Sequence, residues 1–166
     1  MIQKKVCMVG VYATGKTSLV RQFVHAKFSD KYLSTVGVKI DRKPVQVGGQ
    51  DVNLLLWDLE GRDGVQDIQT SYLRGAAGVI YVADGTRRET VTQVFELREL
   101  VQGAVGAVPE VLALNKVDLA DQWIVTSADR ANLAQVPWHT FDTSAKTGDG
   151  VEAAFQWLAT AMVKSP

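Results

Sequence analysis

Cysteine is almost missing from this sequence. The single thiol, Cys7, sits inside an apolar run. One thiol makes no disulfide within a chain, which fits a reducing cytoplasm, and such a cysteine reads as a small buried apolar residue. Long apolar runs are missing too: none approaches the roughly 18 residues of a membrane span. The start, Met1-Ile2-Gln3-Lys4-Lys5, has two lysines but no adequate apolar region behind them, so no signal peptide is expected. The end, Met162-Val163-Lys164-Ser165-Pro166, offers no prenylation cysteine and no polybasic tail, so no lipid anchor is expected. Net charge is absent, with 18 basic against 18 acidic residues, which argues against a broad basic face for nucleic acid or anionic membrane and says nothing against a local basic pocket. There are no internal repeats, low-complexity tracts or linkers. A chain of 166 residues is expected to be one domain, 1–166. At this size about 70% of the unfolded surface can be buried, so neither disulfides nor a structural metal is needed.

What is present is organised around Gly10-Val11-Tyr12-Ala13-Thr14-Gly15-Lys16-Thr17. Gly, four free positions, then Gly-Lys-Thr is a phosphate-binding loop pattern when a strand precedes it and a helix follows. Val6 to Val9 supplies the apolar strand, and Thr17 to Phe28 the amphipathic helix, with Leu19, Val20, Phe23 and Val24 at helical spacing. The chemistry is anion capture. Successive N–H groups of the loop form a nest, and the helix N-terminus adds free donors and partial positive charge. Lys16 supplies a mobile cation for the outer phosphates and Thr17 a hydroxyl for Mg²⁺.

Further along, Phe28 to Val38 is polar and breaks the pattern, as a long functional loop does. Lys39 to Val47 and Asp51 to Trp57 flank Gly48-Gly49, a hairpin signal and the one antiparallel pair expected. Val65 to Arg74 reads as a short irregular helix. After it come a strand over Gly78 to Ala83, a helix over Thr90 to Val101 and a strand over Glu110 to Leu114. A helix over Thr126 to Val136, a strand over Trp138 to Asp142 and a helix over Val151 to Val163 complete the chain. Thr90-x-x-Gln93 and Thr126-x-x-Asp129 are capping-box patterns. Repeated strand–helix units give an α/β fold, a mostly parallel sheet with helices on both faces.

Ligands in such a sheet bind beyond the carboxyl ends of the strands, which selects the loops after strands one, three, five and six. After strand three, Asp58 fits a carboxylate that holds Mg²⁺ through a water, and Gly61 can bring its N–H to a terminal phosphate. After strand five comes Asn115-Lys116-Val117-Asp118. A carboxylate there accepts two hydrogen bonds from guanine, a donor pair that adenine lacks. Asn115 can tie the loop together, and the Lys116 stem can cover one face of the ring. After strand six, Ser144-Ala145-Lys146 places a small residue where a backbone N–H can approach the base carbonyl.

These stretches fall in the order and spacing of the small GTPases of the Ras superfamily, which the sequence resembles over essentially its whole length. It is most similar to the Rab branch, on Ser34-Thr35-Val36-Gly37-Val38, Trp57 before Asp58, and Tyr72-Leu73-Arg74-Gly75-Ala76. The resemblance implies a P-loop NTPase fold, with a six-stranded sheet in which only strand two is antiparallel. It implies GTP/GDP and Mg²⁺ as cofactors. Gly10, Tyr12, Ala13, Thr14 and Gly15 would wrap the phosphates, Lys16 would contact the β- and γ-phosphates and Ser18 the α-phosphate. Thr17 and Thr35 would ligate Mg²⁺ with Asp58. Phe28 would pack edge-on to guanine, Tyr32 would lie over the phosphates, and Asn115, Lys116, Asp118, Ser144, Ala145 and Lys146 would form the base site. Lys16, Thr35, Gly61 and Arg62 would surround the reacting phosphate. Residues 30–38 and 58–74 would be the switches that meet exchange factors, activating proteins and effectors.

The sequence departs from the family pattern at Tyr12 and Ala13, where small residues are usual, and at Glu60, usually Ala. Arg62 replaces the Gln that orients the attacking water, and the prenylated tail is missing, which resembles a prokaryotic Rab-like protein or a Roc-type domain. Arginine has five donors and no acceptor, so it cannot accept a hydrogen bond from that water. The expected function is a cytoplasmic guanine-nucleotide switch with slow GTP hydrolysis. The alternative is a GTP-dependent scaffold that scarcely turns over. A third reading, an ATP-using phosphotransferase, is opposed by Asn115–Asp118.

Overall fold

The computed structural model describes residues 1–31, 33 and 35–165. Six strands form one sheet in the order β2-β3-β1-β4-β5-β6. They are β1 (Ile2–Val9), β2 (Val38–Val47), β3 (Gln50–Leu59), β4 (Gly78–Asp84), β5 (Glu110–Asn115) and β6 (His139–Thr143). Only β2 runs antiparallel to its neighbour; every other pairing is parallel. The turn between β2 and β3 is Gly48-Gly49, with φ of 56° and 80°. Two successive positive φ values match the right-handed strand twist and suit glycine, which is why this dipeptide signals a hairpin.

The central strands are apolar on both faces because helices cover both. Val6 and Met8 of β1, with Leu54, Leu56, Ile80 and Val82, pack against α1 (Lys16–His25) and α4 (Val151–Lys164). Cys7 and Val9, with Val79, Tyr81 and Ala83, pack against α2 (Arg88–Val105) and α3 (Ser127–Leu133). The period-two alternation along β1 thus feeds two separate cores. Burial pushes the Cys7 thiol up to about 11, so it stays protonated and unreactive.

Several element bounds differ from the sequence reading, each for a physical reason. β1 begins at Ile2, not Val6, because β3 pairs from Ile2 onward whereas β4 pairs only with Val6 to Val9. Residues 2–5 therefore tolerate lysines, and the Lys5 ammonium lies 3.6 Å over the Trp57 ring. α1 stops at His25, three residues early, because Ala26 turns left-handed (φ 53°) and donates to Gln22 O at 2.9 Å. Residues 65–74 form two 3-10 turns, Val65–Asp67 and Thr70–Leu73. A further one, Ala120–Gln122, carried no signal in the sequence.

α2 begins at Arg88, and Thr90 is not its cap. The buried Thr90 hydroxyl accepts from Asp84 N and lies within donating distance of Asp84 O, each at 2.9 Å, tying α2 to the end of β4. α3 does carry its capping box, with Thr126 and Asp129 exchanging hydrogen bonds, but it ends at Leu133, whose carbonyl accepts from the Trp138 indole at 2.9 Å. That contact also holds Trp138 out of β6, buried beside Tyr81.

Asp129 also pairs with Arg88 across the gap between α2 and α3. The Arg88 guanidinium first, and the Thr126 backbone amide second, hold its carboxyl down at about 2. A carboxyl lowered by folding stabilises above its unfolded pKa, and the contribution is lost as pH falls through the folded value. Both partners lie at the surface and are screened, so Asp129→Asn should cost about 1 kcal/mol at neutral pH. Urea titrations should show this gap constant above pH 4 and closing towards pH 2.

Candidate functional site

The loops singled out by the sequence all emerge on one side of the sheet, at the carboxyl ends of their strands. The glycine-bounded loop links β1 to α1. Gly15 has φ 94°, and a Cβ there would lie 2.4 Å from the Asn115 amide nitrogen. Only glycine permits that approach, and through it the loops after β1 and β5 lock together. The Asn115 amide donates to Thr14 O at 3.0 Å, and its oxygen accepts from the Thr143 hydroxyl at 3.2 Å. Lys116 reaches across to Ala13 O at 3.2 Å. Gly10 is equally confined: a Cβ there would meet Thr14 Oγ1 at 2.7 Å and Val82 O at 2.9 Å.

Lys16, Thr17 and Thr35 converge on a single buried carboxylate, Asp58. Lys16 Nζ lies 3.0 Å from Asp58 Oδ1. The hydroxyls of Thr17 and Thr35 approach Asp58 Oδ2 at 2.7 and 3.1 Å and contact each other closely. Oxygen donors alone make a hard-cation site. Among the described residues no group of three or more His, Cys, Asp or Glu is placed to hold a metal ion. One carboxylate plus two hydroxyls suits Mg²⁺, which commonly keeps waters and phosphate oxygens as its remaining ligands.

Beside this cluster opens a cavity of about 380 Å³. Ala13, Gly15, Ser18, Phe28, Asn115, Lys116, Asp118, Ala145 and Lys146 line it; so do Asp30, Lys31 and Leu33, which the sequence placed in a switch and not at the base site, and Ser29 and Leu119, which it had not marked. Ser144 stands behind it: fully buried, it donates to Asp118 Oδ1 at 2.7 Å and aims that carboxylate. Lys116 is in the left-handed region (φ 75°), which turns its side chain towards the first loop. Tyr32 and Ser34 lie outside the described residues.

Gly61 packs on the first loop, and Tyr12 N–H donates to Arg62 O at 3.1 Å. A Cβ on Gly61 would stand 3.1 Å from Val11 O and 3.2 Å from Tyr12 Cα, both backbone. Gly61→Ala should therefore lift this segment from the loop, costing about 1–2 kcal/mol. Faster hydrogen exchange at the Tyr12 amide would register the lift. The Arg62 guanidinium lies 2.9 Å from Glu60 Oε2, which also accepts from Gly37 N at 3.3 Å. Glu60 N in turn donates to Gly37 O at 2.8 Å, so residues 30–38 and 58–74 are stitched together. The Tyr12 side chain is about half exposed at the rim, and Tyr12 O accepts from Arg87 at 3.0 Å.

The residue missed from sequence is Asp84. It is the last residue of β4, as Asp58 is the last but one of β3, and the same signal, a carboxylate closing an apolar run, would have found it. It is fully buried and pairs with Lys116 Nζ at 2.8 Å.

Strand order, glycine loop and strand-end carboxylate together make this a P-loop NTPase fold. The model of the Ras family matches residues 5–164. The chain is 33% identical over 161 residues to Ras-related protein Rab-1 of Theileria parva, covering 95% of this chain and 73% of the relative. It is 36% identical over 163 residues to the GTP-binding protein YPTM1 of Zea mays, covering 97% and 78%. With Ras-related protein Rab-4A of Rattus norvegicus the identity is 37% over 157 residues, covering 93% and 72%. The chain belongs to the Ras family, as a Rab-like small GTPase, a family that binds GTP and GDP with Mg²⁺ and hydrolyses GTP.

Proposed function

We propose that the chain, one domain over 1–166, is a guanine-nucleotide switch with slow intrinsic hydrolysis. The observation that carries this reading is the meeting of Thr17 and Thr35 on Asp58, because it joins residues 30–38 to the phosphate loop. Lys16 would hold the β- and γ-phosphates, Ser18 the α-phosphate, and the Gly61 N–H the terminal phosphate. Asn115, Lys116, Asp118 and Ala145 would hold guanine, with Phe28 at its edge. Thr17 and Thr35 would hold Mg²⁺ directly and Asp58 through a water; the ion's part is to neutralise phosphate charge. Both segments would be ordered with GTP and released on hydrolysis, and exchange factors, activating proteins and effectors would read that difference at residues 30–38 and 58–74.

The scaffold reading draws on the Arg62–Glu60 ion pair, which occupies the charge that hydrolysis would use. Identifying the bound nucleotide and then following single-turnover GTP hydrolysis separates the two. Slow but complete conversion to GDP supports the switch; persistent GTP supports the scaffold. Balanced charge supports protein rather than nucleic-acid partners. Among the described residues no helix is long and apolar enough to cross a membrane. A cytoplasmic place agrees with the single buried thiol.

A further inference from the structure

Asp84 is a buried carboxylate that the nucleotide-binding roles above leave unused. Its Oδ1 is occupied by Thr86, whose amide and hydroxyl donate at 2.9 and 2.6 Å. Its Oδ2 is buried and makes no hydrogen bond among the described residues; what faces it is the Lys116 ammonium, as an ion pair at 2.8 Å. A buried carboxylate without a counter-charge is strongly disfavoured, so the ammonium is held where Asp84 needs it. The register explains the meeting. Asp84 is paired with Asn115 across β4 and β5, and Lys116 is the next residue.

We propose that Asp84 is a positioning residue for Lys116 and thereby sets how long a guanine nucleotide stays bound. The inference rests on reading the 380 Å³ cavity as the guanine pocket. The ammonium of Lys116 is pinned at two points, Asp84 Oδ2 and Ala13 O. A four-carbon stem anchored at its tip lies along the cavity wall instead of sampling many rotamers. Nucleotide binding then meets a wall already ordered, and the ordering cost is not paid again. The pair also fixes the Ala13 carbonyl, so the base loop and the phosphate loop share one anchor. Without the carboxylate, Lys116 keeps only a neutral carbonyl partner and the stem swings free.

The test is the dissociation rate of a fluorescent GDP from wild type, Asp84→Asn, Lys116→Met and the double variant. Asparagine keeps the size of Asp84 and can still accept from Thr86, but it turns an amide nitrogen towards the ammonium. Asp84→Asn should release GDP about tenfold faster or more. In the Lys116→Met background the same change should not speed release further, because nothing is left to position and the unmatched Asp84 charge is removed. A purely structural Asp84 would instead speed release equally in both backgrounds, and that result overturns the proposal. So does wild-type release from Asp84→Asn. If Asp84→Asn does not fold, the double variant, which leaves no charge of this pair unmatched, decides: release faster than Lys116→Met alone overturns the proposal, and equal or slower release supports it. Wild type must also retain GDP against excess ADP. Failure there overturns the guanine pocket and the inference together, whereas retention with unaltered Asp84→Asn overturns the inference alone.

Discussion

Asp118→Asn is expected to lower GTP affinity by about 10²–10⁴-fold and to raise affinity for xanthosine nucleotides. The side chain faces the cavity, and the buried Ser144 hydroxyl holds its Oδ1 at 2.7 Å. Asparagine keeps an oxygen for Ser144, so the loop should stay in place. What changes is the other atom. On the proposed assignment, the carboxylate oxygen that would accept from guanine becomes an amide nitrogen that donates, and two donors would then face each other. Losing a charge-assisted pair and leaving buried groups unmatched costs roughly 3–5 kcal/mol. Xanthine carries a carbonyl where guanine carries its amine, so the amide matches it. Calorimetric titration with GDP and with xanthosine diphosphate reads both changes. An unfolding midpoint equal to wild type would show that the loss belongs to the base contact. Unchanged GDP affinity would remove Asp118 from the base site.

Arg62→Gln is expected to raise single-turnover GTP hydrolysis by up to about 10²-fold, or roughly 2.7 kcal/mol of barrier. Hydrolysis depends on orienting a water and stabilising spreading charge on the phosphate. Glutamine accepts from the water and donates to the phosphate; arginine only donates. In this chain Arg62 is also engaged. Its guanidinium lies 2.9 Å from Glu60 Oε2, and that oxygen is shared with Gly37 N. Much of the arginine charge is therefore already offset beside the first loop. The ion pair holds the Arg62 side chain against Glu60, which agrees with its being a handicap to hydrolysis. On the proposed function Tyr12 would add to it, its half-exposed side chain standing where an activating protein's arginine would enter. Fast hydrolysis by wild type that disappears in Arg62→Ala would instead make Arg62 a built-in arginine finger.

Elements with strong local chemistry were legible in the sequence. Gly48-Gly49 marked the hairpin because two positive φ values need glycine there. Val151, Phe155, Leu158 and Met162 marked α4, and all four are buried. Thr126 and Asp129 marked the cap they form. Thr90 misled because its letters fit a cap while its hydroxyl serves the end of β4, a tertiary bond that spacing does not encode. The limits of β1 were set by which neighbours reach each residue, a property of register and not of composition.

The candidate site divides the same way. Lys16, Thr17 and Asp58 belong to local motifs at strand ends and meet there; Thr35, in the loop between α1 and β2, came only from the family resemblance and joins them through Asp58. The partnerships between loops were not legible. Ser144 behind Asp118, Glu60 across to Gly37, and Asp84 beneath Lys116 all depend on which strand ends are neighbours.

The claim that this cavity selects guanine, with Mg²⁺ at Asp58, is tested most directly by competition. Fluorescent GDP bound in the presence of Mg²⁺ is challenged with excess GTP or excess ATP, and the chase is repeated after chelation. Displacement by GTP and not by ATP, with much faster release once Mg²⁺ is removed, is the expected result. Equal displacement by ATP, or release indifferent to Mg²⁺, would contradict it.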